Sequence, residues 1–454
     1  MPADAPRTGA KGAQVAALDS AGTAGKLDSV AQRKMVRRAI IASATGTTIE
    51  WYDFFLYGVA AALIFPSKFF PNSDQFTGTL LAFSTYFVGF VARPVGAALF
   101  GHYGDRIGRK TALIATLLLM GGATMGIGLV PGYDRIGIWG AVLLTLFRVI
   151  QGIGVGGEWG GAVLMAGEWT DPKRRGFSTS FAQLGAPAGM VLANGALSLM
   201  SLIMNDKAFL DWGWRIPFLA SAAMVLVGLY IRGGVDETPV FAKLQEQGRV
   251  QKTPVLQVVK GHWRELILTA LLRSGQQTPF YIFTTYILAY ATQQLGLDRT
   301  LVLGFVMVQA IISTIDIPYF GHLSDKIGRP KITAIGCMLM IVWPFIYFGM
   351  VDTKNLWLVF IAIALGLPSQ DLQYGPQAAY IAERFPGTLR YSGASLGYQL
   401  ASLTAGGPAP LIALYLFNKF GTSMAVAAYV SVTAMISLVC VYLLKDPDPT
   451  LDHK

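Results

Sequence analysis

Charged residues are scarce in this chain. Asp, Glu, Lys and Arg make up 14% of its 454 residues, whereas soluble domains carry about 25%. Hydrophobic residues make up 53%, and the mean hydropathy is +0.49. Apolar runs recur along the whole length, and about 20 such residues suffice to cross roughly 30 Å of hydrocarbon. The composition therefore excludes an ordinary soluble domain and predicts an all-α membrane protein with several spans.

The residues that build disulfide frameworks, metal centres and phosphate cradles are also rare. Two cysteines, Cys337 and Cys440, lie in apolar segments. The four histidines fall in predicted loops, the linker and the tail: His102, His262, His322 and His453. No Gly-x-x-x-x-Gly-Lys-Ser/Thr loop for ATP is present, and no apolar signal-peptide core begins the chain. We therefore expect no metal, no cofactor and no enzymatic activity.

The apolar runs predict twelve membrane spans in two halves. The spans are 38–64, 78–100, 111–131, 138–166, 177–202, 214–232, 264–293, 301–320, 331–351, 356–382, 392–416 and 422–444. They form an N-terminal six-helix half over 35–232 and a C-terminal six-helix half over 264–445. A polar linker with some helix, 233–263, joins the halves. Residues 1–34 are predicted to be a disordered tail, and residues 446–454 a short second tail.

The basic residues predict the orientation. Of 36 Lys and Arg, 26 fall in the tails and in the loops on one side of the spans. The opposite loops hold only Lys68, Arg135, Lys207, Arg299, Lys354 and Lys419. The positive-inside rule then places both termini and the linker in the cytoplasm of an inner membrane. The net charge of +10 is explained by an anionic lipid leaflet, without nucleic acid as a partner.

An internal repeat relates the two halves. Gly101–Lys110 (GHYGDRIGRK) follows span 2, and Gly321–Pro330 (GHLSDKIGRP) follows span 8. A second echo pairs Glu168–Arg175 with Glu383–Arg390, after spans 4 and 10. Repeated halves of this kind place a substrate site between them near the bilayer midplane, reached by alternating access.

The repeated loop motif has the residue types of a gate. Its aspartate can accept charge-assisted hydrogen bonds from an arginine or a helix N-terminus, and its glycines permit a tight turn. The alternative is a generic turn with positive-inside charge. We expect less of the second copy, where Pro330 replaces the basic Lys110. The gating candidates are Arg93, Gly101, Asp105, Arg106, Gly108, Arg109, Asp325, Lys326 and Arg329.

Four further stretches, with the paired loop motifs, resemble the major facilitator superfamily and, within it, the metabolite:proton symporter family. They are Glu50–Gly58 (EWYDFFLYG), Arg148–Ala162 (RVIQGIGVGGEWGGA), Trp212–Phe218 (WGWRIPF) and Asp236–Phe241 (DETPVF). The resemblance covers about residues 35–445. It implies twelve helices in two pseudo-symmetric six-helix halves, and secondary active transport by a monomer.

Within that family the chain looks most similar to shikimate-type and related inner-membrane metabolite transporters, which Tyr391–Ser402 (YSGASLGYQLAS) supports. Osmosensing proline/betaine members often carry a long C-terminal coiled coil. Here about ten residues follow span 12, with no heptads. We therefore expect no osmosensing, although betaine or proline stays open as a substrate.

Span 1 carries two carboxylates, Glu50 and Asp53, in an apolar run. Gly46, Glu50, Asp53 and Tyr57 share one helical face, and Glu50 lies about 18 Å into the span. Mutual repulsion and loss of water both favour protonation of at least one carboxylate. We predict that Glu50 or Asp53 carries the coupling proton; the alternative is a structural pair.

Span 4 supplies a counter-charge. Arg148 and Gln151 lie one turn apart, and Glu158 returns to nearly the same face. By resemblance, spans 1 and 4 both line the N-terminal cavity. Arg148 is expected to pair with Glu50 or Asp53 in one state and with a substrate carboxylate in another; the alternative is a permanent ion pair. Glu158 is a further proton-coupling candidate, with a structural role as the alternative.

The second half carries its own polar set inside predicted spans. Arg273 either contacts the substrate or is neutralised by Asp371. The substrate-binding candidates are Tyr57, Arg148, Gln151, Arg273, Gln277, Asp371, Tyr374, Gln377, Tyr398 and Gln399. Arg215, beside Trp212 and Trp214, is interpreted as an interfacial anchor.

These patterns together predict proton-coupled uptake of a small organic acid or zwitterion across the cytoplasmic membrane. A shikimate-like hydroxy-carboxylate is the first choice and a proline/betaine-type osmolyte the second. An uncoupled facilitator, a drug/proton antiporter and a non-transporting sensor are weaker alternatives. Gly185–Gly189 only faintly resembles the antiporter motif, and no output domain is evident.

Overall fold

The computed structural model describes residues 9–444, without the side chains of residues 9–31, 62–63, 75–76, 79, 83, 201 and 206. The regular elements of this range are helices, and it contains no strand. The predicted C-terminal tail, 446–454, lies outside the described residues. The first helix begins at Gly9, so its helical backbone extends into the segment predicted to be a disordered tail.

Twelve long helices follow one another within residues 9–444. In the first half they are α1 Gly9–Leu63, α2 Gln75–Ile107, α3 Arg109–Leu129, α4 Trp139–Glu168, α5 Arg175–Ile203 and α6 Arg215–Gly233. In the second half they are α7 Trp263–Tyr281, α8 Arg299–Ile327, α9 Arg329–Asp352, α10 Leu356–Ala382, α11 Arg390–Phe420 and α12 Ser423–Leu443. Wide helical turns extend α7 to Gln294. Two short helices, Pro239–Glu246 and Pro254–Gly261, form the linker.

Nine of the helices in the described range are long and apolar enough to cross a membrane by length and composition. The other three long helices, α1, α5 and α7, carry polar side chains that are buried inside the bundle. Examples are Glu50 and Asp53 on α1, Gln183 on α5, and Arg273 and Gln276 on α7. Their lower hydropathy therefore follows from the interior they line.

The two halves meet through three helices of each half. Helix α2 packs against α11, α5 packs against α8 and α10, and α4 packs against α11. Glycines permit some of these approaches, since Gly101 lies against the backbone of Ser392 and Gly176 against that of Gly321. We call the end of the bundle with the two loop motifs the motif side, and the opposite end the far side.

Aromatic side chains close the interface toward the far side. Trp51 lies 5.5 Å from Phe280 between ring centroids, and Phe54 and Phe90 lie 6.3 and 5.9 Å from Tyr281. All five rings are buried. Edge-on aromatic pairs at these distances pack favourably, so packed rings close this part of the interface.

The loop motifs are more helical than the sequence suggested. Helix α2 continues through the first part of the motif to Ile107, and α8 continues to Ile327. The chain breaks only at Gly108 (φ 116°) and Gly328 (φ 97°), in a backbone region that favours glycine. Gly101 is therefore a packing position inside α2 and not a turn residue.

Candidate functional site

The two carboxylates of α1 are fully enclosed in the first half. Glu50 is 2% exposed and Asp53 is 0% exposed. The Thr124 hydroxyl on α3 donates to Asp53 Oδ2 at 2.7 Å. Glu50 Oε2 and Asp53 Oδ1 are buried and have no hydrogen-bond partner among the described residues. Both groups thus have an open position for a proton or a ligand.

Arg148 reaches Asp53 only through neutral side chains. Its Nη1 donates to Gln151 Oε1, and Gln151 Nε2 donates to the Thr124 hydroxyl at 2.7 Å. The structure therefore does not contain the predicted direct pair between Arg148 and a carboxylate of α1. The reason is that Gln151, one turn along α4, fills the space between the two charges.

Aromatic rings surround the Arg148 guanidinium. It lies 4.3 Å from the centroid of Tyr57, 4.8 Å from Tyr86 and 5.3 Å from Phe54. The Tyr57 hydroxyl hydrogen-bonds Thr85 at 2.6 Å. Cation–π attraction is strongest where water is excluded, so this cage holds the charge in place without neutralising it.

Arg93 belongs to the centre of the molecule and not to the gate network that the sequence suggested. Its guanidinium lies 4.6 Å from the centroids of both Phe54 and Phe90, and its charge interacts with Glu50. Twelve helical residues separate it from Asp105, which corresponds to about 18 Å along α2. Closeness in sequence to the motif was misleading because α2 continues without a break between Arg93 and Asp105 and so places Arg93 deep in the bundle.

Glu158 is held in an ion pair that the sequence did not indicate. Arg232 Nη2 of α6 bonds Glu158 Oε1, and the Thr116 hydroxyl donates to Oε2 at 2.7 Å. Gly46 on α1 leaves room for this pair, because a side chain there would overlap it. Both carboxylate oxygens are thus occupied. An arginine at the predicted end of a span was the available signal.

In the second half, Arg273 lies against an aromatic ring that reaches across the interface. Its guanidinium carbon is 3.1 Å from the centroid of Tyr398, and Nη1 donates to Gln377 Oε1 at 2.8 Å. Tyr398 stacks on Trp159 of the first half at 3.6 Å, and its hydroxyl lies 3.5 Å from that of Tyr374. Arg273 therefore sits where the two halves meet.

Arg273 is not paired directly with Asp371. Gln276 and Gln370 lie between them, joined by a hydrogen bond of 2.8 Å, and Gln370 donates to Asp371 Oδ1 at 3.0 Å. The Ser313 hydroxyl donates to Asp371 Oδ2 at 2.5 Å. Asp371 is 0% exposed. Asp371 is thus enclosed and separated from Arg273 by two glutamines.

Two glutamines complete the polar lining near the interface. Gln277 donates to the Ser402 hydroxyl at 3.1 Å, and Gln399 donates to the Val155 carbonyl of the first half at 3.5 Å. Gln399 Oε1 and Gln377 Nε2 are buried without a hydrogen-bond partner in residues 9–444. These amide atoms could serve substrate hydroxyls.

On the motif side, Asp105 joins the two halves. Its carboxylate accepts the backbone N–H groups of Tyr391 and Ser392 at 3.3 and 2.9 Å. Both belong to the first turn of α11, where the helix dipole favours an anion. Arg109 lies 3.3 Å from Asp105 and 3.5 Å from Glu168.

The second motif copy repeats this arrangement. Asp325 accepts the N–H groups of Gly176 and Phe177, in the first turn of α5, both at 2.8 Å. Arg329 lies 3.4 Å from Asp325 and 2.9 Å from Glu383. Burial raises the pKa of Glu383 above its ordinary value, and the Arg329 charge opposes that rise. The second copy therefore repeats the helix cap of the first, while Arg109 additionally donates to the Gly387 carbonyl of the other half at 2.9 Å.

Pro330 does not weaken the second copy because Lys110 makes no contact with the opposite half. Its backbone N–H donates to Glu237, just beyond α6, and its ammonium donates to the carbonyl of Gly233, the last residue of α6. Two other basic motif residues also stay outside the contact. Arg106 is exposed and bonds His102, and Lys326 is exposed.

The start of the linker packs against the motif side. The Thr238 hydroxyl donates to Glu168 Oε2 at 2.5 Å, and the Phe241 ring lies 5.0 Å from the Arg109 guanidinium. The conspicuous Asp236–Phe241 stretch was a signal for this role, but its contacts could not be derived from its sequence.

Comparisons with known proteins agree with this architecture. The model of the Major Facilitator Superfamily matches residues 43–408. An inner membrane metabolite transport protein of Escherichia coli K12, YhjE, is 41% identical over 411 residues, covering 89% of this chain and 93% of the relative. The shikimate transporter of the same strain is 39% identical, covering 90% and 94%.

Other relatives and solved structures extend the picture. The proline/betaine transporter of Escherichia coli K12 is 31% identical, covering 90% of this chain and 84% of the relative. Among solved structures, the proton:xylose symporter XylE bound to 6-bromo-6-deoxy-D-glucose superposes with a TM-score of 0.71 at 16% identity, covering 91% and 95%. That likeness concerns the fold alone. The chain belongs to the major facilitator superfamily, and it is a multi-pass membrane transporter and not an enzyme.

Proposed function

We propose that this transporter imports a small organic acid together with protons across the cytoplasmic membrane, with its motif side and both termini in the cytoplasm. One observation carries the proposal. Arg148 and Arg273, each 2% exposed, form no ion pair with any residue in the described range. A buried charge that no carboxylate pairs directly is costly, and Arg273 sits where the halves meet.

A carboxylate substrate would supply the missing negative charge. Guanidinium groups bind carboxylates through two parallel hydrogen bonds and stay charged in any protein environment. Both arginines have a buried Nε without a partner in residues 9–444. The free amide atoms of Gln377 and Gln399 suit hydroxyl groups, which favours a hydroxy-carboxylate of the shikimate type.

In this proposal the coupling proton binds to a carboxylate of α1. Glu50 and Asp53 each have an open oxygen, and protonation of both would leave the arginine charges uncompensated until an anion binds. The proton and the substrate would therefore stabilise the same loaded state, which is what thermodynamic coupling requires. Opening of the motif side would then release both into the cytoplasm, where fewer protons are available.

A proline- or betaine-type substrate is the second candidate, since relatives with that name exist and aromatic rings can hold a quaternary ammonium. In this structure, however, those rings already carry guanidinium groups. Arg93 covers Phe54 and Phe90, Arg148 covers Tyr57 and Tyr86, and Arg273 covers Tyr398. A cationic headgroup would have to displace a like charge.

The substrate class can be tested with purified protein in vesicles. A panel of labelled hydroxy-carboxylates, simple carboxylates, proline and glycine betaine would be offered with and without an inward pH gradient. We expect carboxylates to accumulate only with the gradient. Accumulation of betaine in preference to every acid would reject the organic-acid proposal, and uptake that ignores the gradient would reject proton coupling.

Neutralising the α1 carboxylates tests the coupling itself. Glu50→Gln or Asp53→Asn is expected to abolish gradient-driven accumulation while substrate exchange at equal pH persists, because exchange needs no net proton movement. Asp211→Asn, at an exposed carboxylate that pairs with Lys68 on the far side, is the matched control and should behave like the unmodified protein. Intact accumulation in both α1 variants would show that the coupling proton binds elsewhere.

A further inference from the structure

Asp371 is the one membrane carboxylate of the second half that the structure encloses completely. It is 0% exposed and lies 15 residues into α10, which corresponds to about 22 Å from the far-side end of that helix. It forms no ion pair with any residue between 9 and 444. A full charge at this depth without a counter-charge is expensive.

We propose that Asp371 is a second proton-binding site, in the opposite half of the transporter from the site on α1. This inference rests on the proposed proton coupling but assigns Asp371 to the proton, not to the substrate. The ligand is a single proton, taken up on Oδ2 from water and returned to water without any change in other bonds.

The contacts of Asp371 suit both protonation states. The Ser313 hydroxyl, 2.5 Å from Oδ2, donates to the carboxylate. Once Oδ2 carries the proton, that O–H can donate to Ser313 instead, because a hydroxyl both donates and accepts. The serine hydrogen then turns toward a carbonyl of the preceding turn of its own helix. Gln370 keeps donating to Oδ1 in both states.

The next carboxylate along α8 from Ser313 is Asp316. This residue lies three positions after Ser313 on α8, it is partly exposed, and its charge acts on Asp371. The charged or titratable side chains on the helices packed against α10 include Asp316 on α8, Arg273 on α7, Cys337 on α9, Tyr398 on α11 and Tyr374 on α10 itself. Helix α5 contributes the neutral Gln183, which donates to the Tyr374 carbonyl. Arg273 reaches Asp371 only through Gln276 and Gln370.

The first half contains a similar arrangement of a carboxylate and an arginine, but the two residues are on the opposite helices of the pair. There the carboxylate Asp53 is on the first helix of the half and Arg148 on the fourth, joined through Gln151 and Thr124. In the second half the arginine is on the first helix, α7, and the carboxylate on the fourth, α10. Each half therefore holds one carboxyl that a hydroxyl contacts and that neutral side chains link to an arginine.

Infrared difference spectroscopy on the full-length protein in vesicles tests the assignment, with pH as the only variable. The carbonyl stretch of each protonated buried carboxyl gives its own band. We expect Asp371→Asn to remove one band component that Glu50→Gln and Asp53→Asn leave in place. Asp352→Asn is the control, because Asp352 lies on the far side, held by Tyr290 and Ser423. A spectrum of Asp371→Asn identical to that of the unmodified protein would overturn the proposal.

Ser313→Ala provides a second, milder test that keeps the carboxyl. Loss of the Ser313 hydroxyl takes away the acceptor of the Oδ2–H group, so the Asp371 band should move, because a hydrogen bond at Oδ2 polarises the whole carboxyl group. An unmoved band would also overturn the proposal, even if Asp371→Asn failed to fold. If instead the α1 variants leave the spectrum unchanged while Asp371→Asn alters it, the coupling role of α1 fails and the second site stands.

Discussion

At the scale of single residues, the buried carboxylates of this transporter fall into two groups. Glu158 has both oxygens occupied by Arg232 and Thr116, whereas Glu50 and Asp53 each keep one open oxygen. A carboxylate that is already neutralised by an arginine gains little from a proton, and an unpaired one gains much. The geometry therefore favours a structural role for Glu158, while its predicted coupling role stays a prediction.

Glu158→Gln separates these two roles. If the ion pair is structural, the variant leaves Arg232 buried without a counter-charge, at a cost of about 3–5 kcal/mol. The measurement is thermal unfolding of the purified protein in detergent. The double variant Glu158→Gln with Arg232→Gln should recover much of the loss. If Glu158 instead carries the coupling proton, the single variant would unfold normally but lose gradient-driven uptake.

Single side chains also show how far sequence reasoning reaches. The spacing of Arg148 and Gln151 correctly placed both side chains on one buried face. It could not show that the glutamine would separate the arginine from its carboxylate, because the rotation and height of neighbouring helices are not contained in the period of one helix. The same limit explains Arg93 and Arg232, whose partners lie on other helices.

At the scale of helices, the motif-side closure depends on two helix N-termini. The aspartate at the end of α2 caps α11 of the other half, and the aspartate at the end of α8 caps α5. The repeat in the sequence predicted that the motifs would occupy matching positions. The repeat did not reveal which helices these aspartates cap, because every residue except proline has a backbone N–H group and the sequence does not show which of them bind the carboxylate. Two matching caps across the interface predict comparable contributions to closure.

Asp105→Asn and Asp325→Asn should therefore open the motif side to a similar degree. Each removes a charge from a helix N-terminus and leaves one amide N–H poorly satisfied, which costs about 1.4 kcal/mol or tenfold in an equilibrium. The probe is Ser395→Cys, a buried position beside Gly160 at the contact of α11 with α4, with both native cysteines replaced by serine. We expect labelling by a membrane-impermeant thiol reagent from the motif side to rise about tenfold in each variant.

The control for this experiment is Asp134→Asn, at a carboxylate on the short far-side helix Tyr133–Ile136. It should leave the labelling rate of Ser395→Cys unchanged. Labelling that rises for Asp105→Asn alone would restore the weaker role that the sequence suggested for the second motif. Unchanged labelling in both variants would indicate that the motifs are turns and not gates.

At the scale of the whole molecule, the two ends of the interface close by different chemistry. Charged groups and helix caps close the motif side, while packed rings close the far side. The twelve-helix plan and its duplication could be predicted from the apolar runs and the paired motifs. The aromatic closure could not be predicted, since aromatic residues such as Phe280 and Tyr281 are common in membrane helices. Their contacts with the first half depend on how the two halves pack together. In alternating access both closures act on one equilibrium between the two open states.

A cycle of variants tests whether the two closures compete. Phe280→Ala removes the ring that meets Trp51 and Phe55, so the far side should open more and motif-side labelling of Ser395→Cys should fall. Asp105→Asn should raise that labelling, and the combined variant should return toward the unmodified rate, because opposite shifts of one equilibrium cancel. Phe305→Ala is the control, since Phe305 packs on Phe360 within the second half. If the combined variant labels as fast as Asp105→Asn alone, the two ends open independently and the molecule does not rock as one body.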